Sequence, residues 1–215
     1  MARQLRAEQT RAAIIAAAAD LFDRHGYEST SLSDIVEHAQ VTKGALYFHF
    51  AAKQDLAHAI MELQSRTLRR MVSDLDNRGF SHLESLIRTT FGVARLSVDD
   101  PVPRAGLRLA TGGVLVPAQL AHPFTEWLEI TSRKLLGALK ESDIHPDIDL
   151  DAAAHSLVCS LVGTRVVGRS LEPVTRQPRR LAEMWHIQVR GMVPVPRRAR
   201  YLSLATQLER DMRQP

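Results

Sequence analysis

Apolar residues recur at three- and four-residue spacings through most of the chain, and this period predicts helices rather than strands. The first segment, residues 12–24, places five apolar side chains on one helical face: Ile14, Ile15, Ala18, Leu21 and Phe22. Gly26 follows as a residue that can adopt the left-handed conformation at a helix end. We therefore expect a first helix that buries one face and exposes the other.

Two short helices are expected next. Ser31 precedes an apolar segment and Asp34 follows three residues later, which is the spacing of a capping box, so a helix should begin here and end near His38. Thr42 can cap a third helix that continues to about His49. Two short helices separated by three or four residues have the dimensions of a helix-turn-helix.

A long amphipathic helix should begin at Lys53 and end before Gly79. Further helical segments are bounded by proline and glycine: residues 81–98, 104–113, 118–140, 151–170, 178–192 and 197–213. No segment alternates as a strand does. The predicted fold class is all-α, with an N-terminal three-helix helix-turn-helix unit followed by a larger C-terminal helical bundle.

The composition is that of a soluble protein with a buried core, because 45% of the 215 residues are hydrophobic and 24% are charged. No stretch reaches the roughly 18 consecutive apolar residues of a membrane span, and the N-terminus lacks the apolar run of a secretory signal. We therefore expect a cytoplasmic protein without a membrane partner. The single cysteine, Cys159, excludes an intrachain disulfide and, among apolar neighbours, is expected to be a buried thiol.

Catalytic motifs are missing from the sequence. The nine histidines include no His-Glu-x-x-His, and no glycine-rich phosphate loop occurs. His155 and Ser156 are adjacent, but successive helical residues point apart, so they do not form a base and nucleophile. The sequence predicts no enzyme, no catalytic residue, no cofactor and no metal site.

The net charge of +4 invites a nucleic-acid partner, but the charges are unevenly distributed. Residues 1–76 contain nine Lys and Arg against ten Asp and Glu, so the basic excess lies in the rest of the chain. Any DNA binding by the N-terminal third must therefore depend on a few well-placed side chains and not on a uniformly positive surface.

The third helix has side chains suited to the major groove. Lys43 can reach guanine acceptors or a phosphate, Gly44 and Ala45 allow close approach, and Tyr47 and His49 can donate to phosphates. The candidate DNA-binding residues are Thr30, Ser31, Ser33, Thr42, Lys43, Gly44, Ala45, Tyr47, His49 and Lys53. Arg3 and Arg6, in an N-terminal arm expected to be mobile, can add contacts. Two short helices joined by a turn also occur in ordinary bundles, so the geometry alone leaves packing as the alternative.

A family resemblance favours the DNA-binding interpretation. Residues 10–56, with Gly26-Tyr27, Thr30-Ser31-Leu32 and Val41-Thr42-Lys43-Gly44 among the matching positions, look like the N-terminal signature of TetR-family repressors. The segment Thr-Lys-Gly-Ala-Leu-Tyr-Phe-His-Phe at residues 42–50 further resembles the γ-butyrolactone autoregulator receptors of that family. The resemblance implies nine or ten helices, a homodimer, and DNA binding that a small ligand abolishes. It also implies a DNA-binding domain over residues 1–52 and a ligand-binding and dimerisation domain over residues 53–215.

Gln40 departs from the family pattern, which commonly has glycine in the turn. If this position requires a positive φ, Gln40 is strained by roughly 1 kcal/mol or more.

The resemblance also implies a ligand position in the C-terminal part. Trp127 matches a tryptophan that lines the cavity in the receptor branch, and an indole offers an apolar wall with an N–H donor. Phe91, Thr131, Val158 and Val162 are further candidates for the cavity wall because their helices should surround it. A core tryptophan is the alternative interpretation of Trp127, and for Trp185 a core or dimer contact is preferred.

The eighth helix is rich in small residues, which permit close packing against a second copy; ordinary bundle packing is the alternative. The arginine clusters at 176–180 and 197–200 are expected to be solvated surface. The expected function is therefore a homodimeric transcriptional repressor that binds a pseudopalindromic double-stranded operator and is released by a γ-butyrolactone-like effector. The alternatives are a TetR-like repressor of another small hydrophobic ligand, antibiotic or drug-like, and a ligand-independent DNA-binding protein.

Overall fold

The computed structural model describes residues 2–112, 123–172 and 176–213, and every regular element in these ranges is a helix. The helices are α1 (Ala2–His25), α2 (Leu32–His38), α3 (Lys43–His49), α4 (Lys53–Asn77), α5 (His82–Asp99), α6 (Pro101–Thr111), α7 (Pro123–Lys140), α8 (Leu150–Leu171), α9 (Gln177–Met192) and α10 (Val195–Arg213). The all-α prediction is confirmed. The predicted start of the sixth segment differs from the structure, and the predicted start of the seventh, at residue 118, lies outside the described ranges.

Helix α1 begins ten residues earlier than the apolar pattern predicts. Its first turns contain good helix formers such as Gln4, Leu5 and Glu8, which favour a helix without needing a buried face. Arg3 and Arg6 therefore lie in a helix, and the expectation of a mobile arm at these positions is wrong.

The start of α6 shows how proline can begin a helix. Asp100 caps the helix by accepting a hydrogen bond from the Val102 N–H at 2.8 Å, and Pro101 occupies the first turn, where no N–H is needed. The boundary between α5 and α6 lies in this proline-containing segment, as the sequence predicts, but the predicted start at residue 104 lies three residues too late.

The described residues form two compact units. The first contains residues 2–67 and 99–112, so α6 belongs with the helix-turn-helix. Its core joins Phe22 of α1, Ile35 of α2, Leu46 of α3, Ile60 of α4 and Leu109 of α6. The contiguous division at residue 52 therefore does not describe the compact units, because α6 packs on α1.

The second unit contains residues 68–98, 124–172 and 176–213. Helices α9 and α10 pack closely, and Trp185 and Tyr201 are fully buried in this core. Cys159 on α8 is exposed, so the prediction of a buried thiol is wrong. The apolar neighbours in sequence, Leu157 and Val158, point inward and leave the cysteine on the outer face.

Helix α8 is unusually apolar for its exposure. Its segment Leu150–Gly168 is long and apolar enough to cross a membrane by length and composition alone, and 22% of it is buried within this chain. Core helices of soluble proteins meet the same criteria of length and composition. The small residues of its outer face, among them Ala152, Ser156 and Gly163, are exposed or half-buried.

Candidate DNA interface and ligand cavity

Helix α3 buries one side chain and exposes most of the others. Thr42 caps it by accepting a hydrogen bond from the Ala45 N–H at 3.1 Å, as the sequence predicts. Leu46 is fully buried, whereas Lys43, Gly44 and Tyr47 are exposed. The helix therefore presents a polar and aromatic surface on the side away from the core.

The turn between α2 and α3 requires a positive φ at Gln40. Its φ of 53° lies in the left-handed region, where a non-glycine residue is strained by roughly 1 kcal/mol or more. The positive φ that the prediction assumed is present, and the strain itself stays a prediction. The Gln40 N–H donates to the Glu37 carbonyl at 3.1 Å, so the turn is hydrogen-bonded despite the strain.

Ser31 and Ser33 remain candidates for phosphate contact at the start of α2. Both are exposed, and Ser31 forms the predicted capping box: the Asp34 N–H donates to its hydroxyl, and the Ser31 N–H donates to Asp34 Oδ2 at 2.8 Å. These hydrogen bonds hold the pKa of Asp34 below its usual value. Ala45 and His49 are half-buried beside the exposed face of α3.

Two of the candidate residues serve the fold. Thr30 is buried, and its hydroxyl donates to the Gly26 carbonyl at 2.8 Å. Lys53 Nζ donates to the carbonyls of Tyr27 at 2.8 Å and Thr30 at 3.0 Å, and it lies 4.4 Å from the centroid of the Tyr27 ring. Both side chains hold the loop between α1 and α2, and their contact with DNA stays a prediction.

Phe48 was not among the predicted residues. Its ring is 78% exposed on α3 and stands edge-on to the His49 ring, with centroids 5.0 Å apart. A helical projection from buried Leu46 would have found it, since Phe48 lies about 200° further around the helix.

A cavity in the second unit has a free volume of about 340 Å³, part of it open to solvent. Its wall is mostly apolar and includes three threonines: Leu68, Leu86, Thr89, Thr90, Val93, Trp127, Ile130, Thr131 and Leu161. An adjoining cavity of about 240 Å³ shares Leu86, Thr90, Thr131 and Leu161 and adds Val158 and Trp185. Thr131 thus lines both cavities, whereas Trp127 lines the first and Val158 the second.

The two indoles differ in their hydrogen bonds. The Trp185 N–H donates to the Thr90 hydroxyl at 2.8 Å, and that hydroxyl donates to the Ile87 carbonyl. The Trp127 N–H and the Thr131 hydroxyl have no partner among the described residues, although both side chains are largely buried. Residues four apart on α7 project from the same helical face, and both side chains line the same cavity.

Two predicted wall residues lie elsewhere. Phe91 is buried in the core that contains Leu83 and Trp185, and Val162 packs beside Trp127 and Val158 without lining either cavity. Side-chain direction decides these positions, and the segment assignments alone could not give it. Leu68, Thr89 and Thr90 line the cavity but were not predicted.

The arginine clusters of α9 and α10 are extensively ion-paired. Arg180 pairs with Glu172 and Glu183, and Arg197 contacts the buried Asp143 at 2.5 Å. These ion pairs of the arginine clusters favour the solvated-surface interpretation.

Among the described residues, no group of three or more His, Cys, Asp or Glu is arranged to hold a metal ion.

Two family models match this chain, one over the helix-turn-helix and one over most of the C-terminal helices. The model of "Bacterial regulatory proteins, tetR family" matches residues 14–60, and "Tetracyclin repressor-like, C-terminal domain" matches residues 80–194. The chain belongs to the TetR family. Residues 14–60 contain α2 and α3, and residues 80–194 contain Trp127 and every wall residue of the two cavities except Leu68.

Several TetR relatives carry informative names. The A-factor receptor protein of Streptomyces griseus is 37% identical over 185 residues, which cover 86% of this chain and 64% of that relative's length. A crystal structure of a γ-butyrolactone receptor, an ArpA-like protein, has 65% identity and a TM-score of 0.84, and the match covers 95% of this chain and 99% of the other. CprB from Streptomyces coelicolor, in complex with its biological operator sequence, has 69% identity and a TM-score of 0.84 over 96% of this chain and 99% of CprB.

Proposed function

We propose that this TetR protein is a homodimeric transcriptional repressor that binds a pseudopalindromic operator and is released by a γ-butyrolactone-type signal. The observation that carries the ligand proposal is a mostly apolar cavity whose wall includes Trp127 and Thr131, two side-chain donors with no hydrogen-bond partner among the described residues. A lactone carbonyl can accept from such donors while an alkyl chain lies against Leu68 and Val93. The names of the receptors described above support the same ligand class.

The DNA proposal rests on the exposed face of α3. In a helix-turn-helix dimer the two recognition helices enter successive major-groove faces about 34 Å apart, which explains why such operators are pseudopalindromic. Thr42 fixes the start of α3, and Lys43, Gly44 and Tyr47 face outward from its first turns. The operator complex of CprB supports the same use of this surface.

The dimer proposal rests on α8 and α9. Between them runs a groove of about 1010 Å³ that is largely open to solvent. Leu171 and Ile187 are more than 70% exposed along it, and Val167 is also exposed. A second copy would bury these side chains, because an apolar patch of this kind is typical of an oligomer interface.

Helix α4 provides the connection between ligand and DNA. It is one continuous helix that starts at Lys53, which holds the loop before α2, and includes Leu68, which lines the cavity. A ligand that displaces Leu68 would therefore shift the helix that holds the α1–α2 loop, and the separation of the two α3 helices would change.

Release imposes an energetic requirement on the ligand. To change the operator-bound fraction from 99:1 to 1:99, the ligand must prefer the released state by roughly 10⁴-fold, about 5.5 kcal/mol. Apolar burial and the two hydrogen bonds supply this preference to the extent that they form in the released state and are lost in the operator-bound state.

Fluorescence anisotropy tests the proposal. The protein is titrated onto a labelled duplex from its own upstream region and onto a scrambled duplex, at two salt concentrations, with and without a synthetic γ-butyrolactone with an alkyl side chain. Selective binding that the lactone reverses is the expected result. Selective binding that no lactone reverses would overturn the ligand and favour another hydrophobic effector or a ligand-independent binder, and equal binding to both duplexes would overturn the operator.

The proposed compartment is the cytoplasm, where the chromosome is accessible.

A further inference from the structure

Phe48 is highly exposed and lies on the outward face of α3, in the last turn of the helix. Its ring is 78% exposed, against 57% for the neighbouring Tyr47. An exposed phenylalanine is unfavourable in water, since its apolar surface is removed from solvent only when a partner covers it. A bound partner would therefore be stabilised by covering this ring.

The position of Phe48 on the helix points to the partner. With about 100° per residue, Gly44 and Phe48 lie some 160° to 200° around the helix from fully buried Leu46. They are also one turn apart on the same face. A Cβ at Gly44 would have only the Thr42 hydroxyl within 4 Å, so the space beside the ring is open. The ring thus lies on the outward face of α3, in the last turn of the helix.

The chemistry of the ring limits what it can recognise in DNA. A phenyl ring has no hydrogen-bond donor, so it contributes neither a phosphate hydrogen bond nor a bidentate base contact. The apolar group that the major groove offers is the C5 methyl of thymine. Lys43 and Tyr47, in contrast, have polar groups that serve phosphates or base acceptors.

We propose that Phe48 is a specificity-determining residue that reads the C5 methyl of a thymine in each operator half-site. This proposal rests on the repressor function proposed above and adds a base to the recognition code. The predicted operator has a thymine at the position that α3 reaches with the end of its exposed face. Discrimination comes from apolar contact with one methyl group.

Removing the methyl from the DNA tests the contact directly. A duplex is selected from a random-sequence pool by the wild-type protein, and each thymine is then replaced in turn by deoxyuridine, which lacks only the C5 methyl. At one thymine per half-site we expect wild-type affinity to fall by about fivefold to tenfold. For Phe48→Ala the thymine and deoxyuridine duplexes should bind equally, and Phe48→Leu, which keeps an apolar contact, should retain part of the discrimination.

Tyr47→Phe is the matched control. It removes a polar group from the adjacent position and should weaken binding to thymine and deoxyuridine duplexes by the same factor. Circular dichroism and urea titration confirm that each variant folds, which is expected because Phe48 is outside the core.

The outcomes separate this proposal from the repressor function. Selective operator binding in which Phe48→Ala loses the same affinity on both duplexes, or none, overturns the role of Phe48 and leaves the repressor in place. A selected operator without a methyl-sensitive thymine does the same. If the wild-type protein selects no duplex, the repressor function is overturned and the Phe48 contact with it.

Discussion

Lys53 holds the loop before α2 through the Tyr27 carbonyl, to which its ammonium group donates at 2.8 Å while lying 4.4 Å from the centre of the Tyr27 ring. The same group also donates to the Thr30 carbonyl at 3.0 Å. A lysine at the start of a helix next to a helix-turn-helix suggests phosphate binding, but the hydrogen bonds of this lysine are made within the protein. Lys43, ten residues earlier, is exposed at the start of α3.

The two lysines should therefore respond differently to the same substitution. Lys53→Met should lower the free energy of unfolding by roughly 1–3 kcal/mol, since loop carbonyls lose a charged donor, and should leave the salt dependence of operator binding unchanged. Lys43→Met should leave stability unchanged and weaken binding, and the salt slope should fall by about 0.9 for each phosphate that the variant no longer neutralises. Urea denaturation and anisotropy at several salt concentrations measure both effects. A reduced salt slope for Lys53→Met at unchanged stability would instead show that Lys53 contacts a phosphate.

Gln40→Gly should stabilise the protein by about 1 kcal/mol. The φ of 53° at Gln40 is costly for a residue with a Cβ and freely available to glycine. Ser73→Gly, at an exposed position inside α4, is the control and should destabilise the protein by about 0.5 kcal/mol, because glycine weakens a helix interior. Urea midpoints at constant slope give both values. If Gln40→Gly destabilises as Ser73→Gly does, the strain at this turn is absent.

The starts of α2 and α3 could be predicted from the sequence because each depends on a capping hydrogen bond between residues close in the chain. Ser31 and Thr42 lie within three residues of the N–H groups that they accept from, so the residue types and their spacing are sufficient to predict the caps. The place of α6 in the first unit could not be predicted in this way. It depends on contacts such as Arg104 with Asp23, which are 81 residues apart.

In the candidate sites, too, the features set by local spacing could be predicted from the sequence, whereas those set by contacts between distant segments could not. Trp127 and Thr131 share a helical face, so their joint position in a cavity follows from their spacing once α7 is assigned. Burial of Thr30 and engagement of Lys53 depend on how separate segments meet, which the amphipathic pattern does not contain. The exposure of Phe48, in contrast, was available from the helical period and the burial expected for Leu46.

The Arg104 contact should stabilise the first unit. Arg104 Nε lies 2.7 Å from Oδ2 of the nearly buried Asp23, and Arg108 Nη1 donates to the Asp23 carbonyl at 2.5 Å. Arg104→Ala should lower the free energy of unfolding by roughly 1–3 kcal/mol, because a buried carboxylate loses a charged donor. Arg210→Ala, at an exposed site on α10, is the control and should change stability by less than about 0.5 kcal/mol. Equal urea midpoints for the two variants would contradict a stabilising role for Arg104.

Tyr201 should make stability depend on alkaline pH. Burial is the main cause that raises the pKa of its phenol to about 12, and a hydrogen bond with Asp143 adds to the effect. An unfolded tyrosine has a pKa of about 10, so between about pH 10 and about pH 12 the unfolded state loses a proton that the folded state keeps. Stability should therefore be fully present below about pH 10 and fall by up to about 1.4 kcal/mol per pH unit above it. In urea titrations Tyr201→Phe should be less stable at neutral pH and lack this part of the decline; parallel declines would contradict the assignment.

The two tryptophans give the most direct test of the ligand cavity. Trp127→Phe keeps an apolar wall and removes the N–H that has no acceptor among the described residues, so stability and operator binding should change little. The lactone concentration needed for release should rise about tenfold, the effect of removing one hydrogen bond of about 1.4 kcal/mol. Trp185→Phe should do the reverse: it removes a buried hydrogen bond to Thr90, lowers the free energy of unfolding by roughly 1–3 kcal/mol, and leaves the lactone response largely intact. Anisotropy with increasing lactone and parallel urea titrations measure both. A normal lactone response in Trp127→Phe would exclude its N–H as a ligand donor, and loss of the response in Trp185→Phe alone would move the ligand to the adjoining cavity.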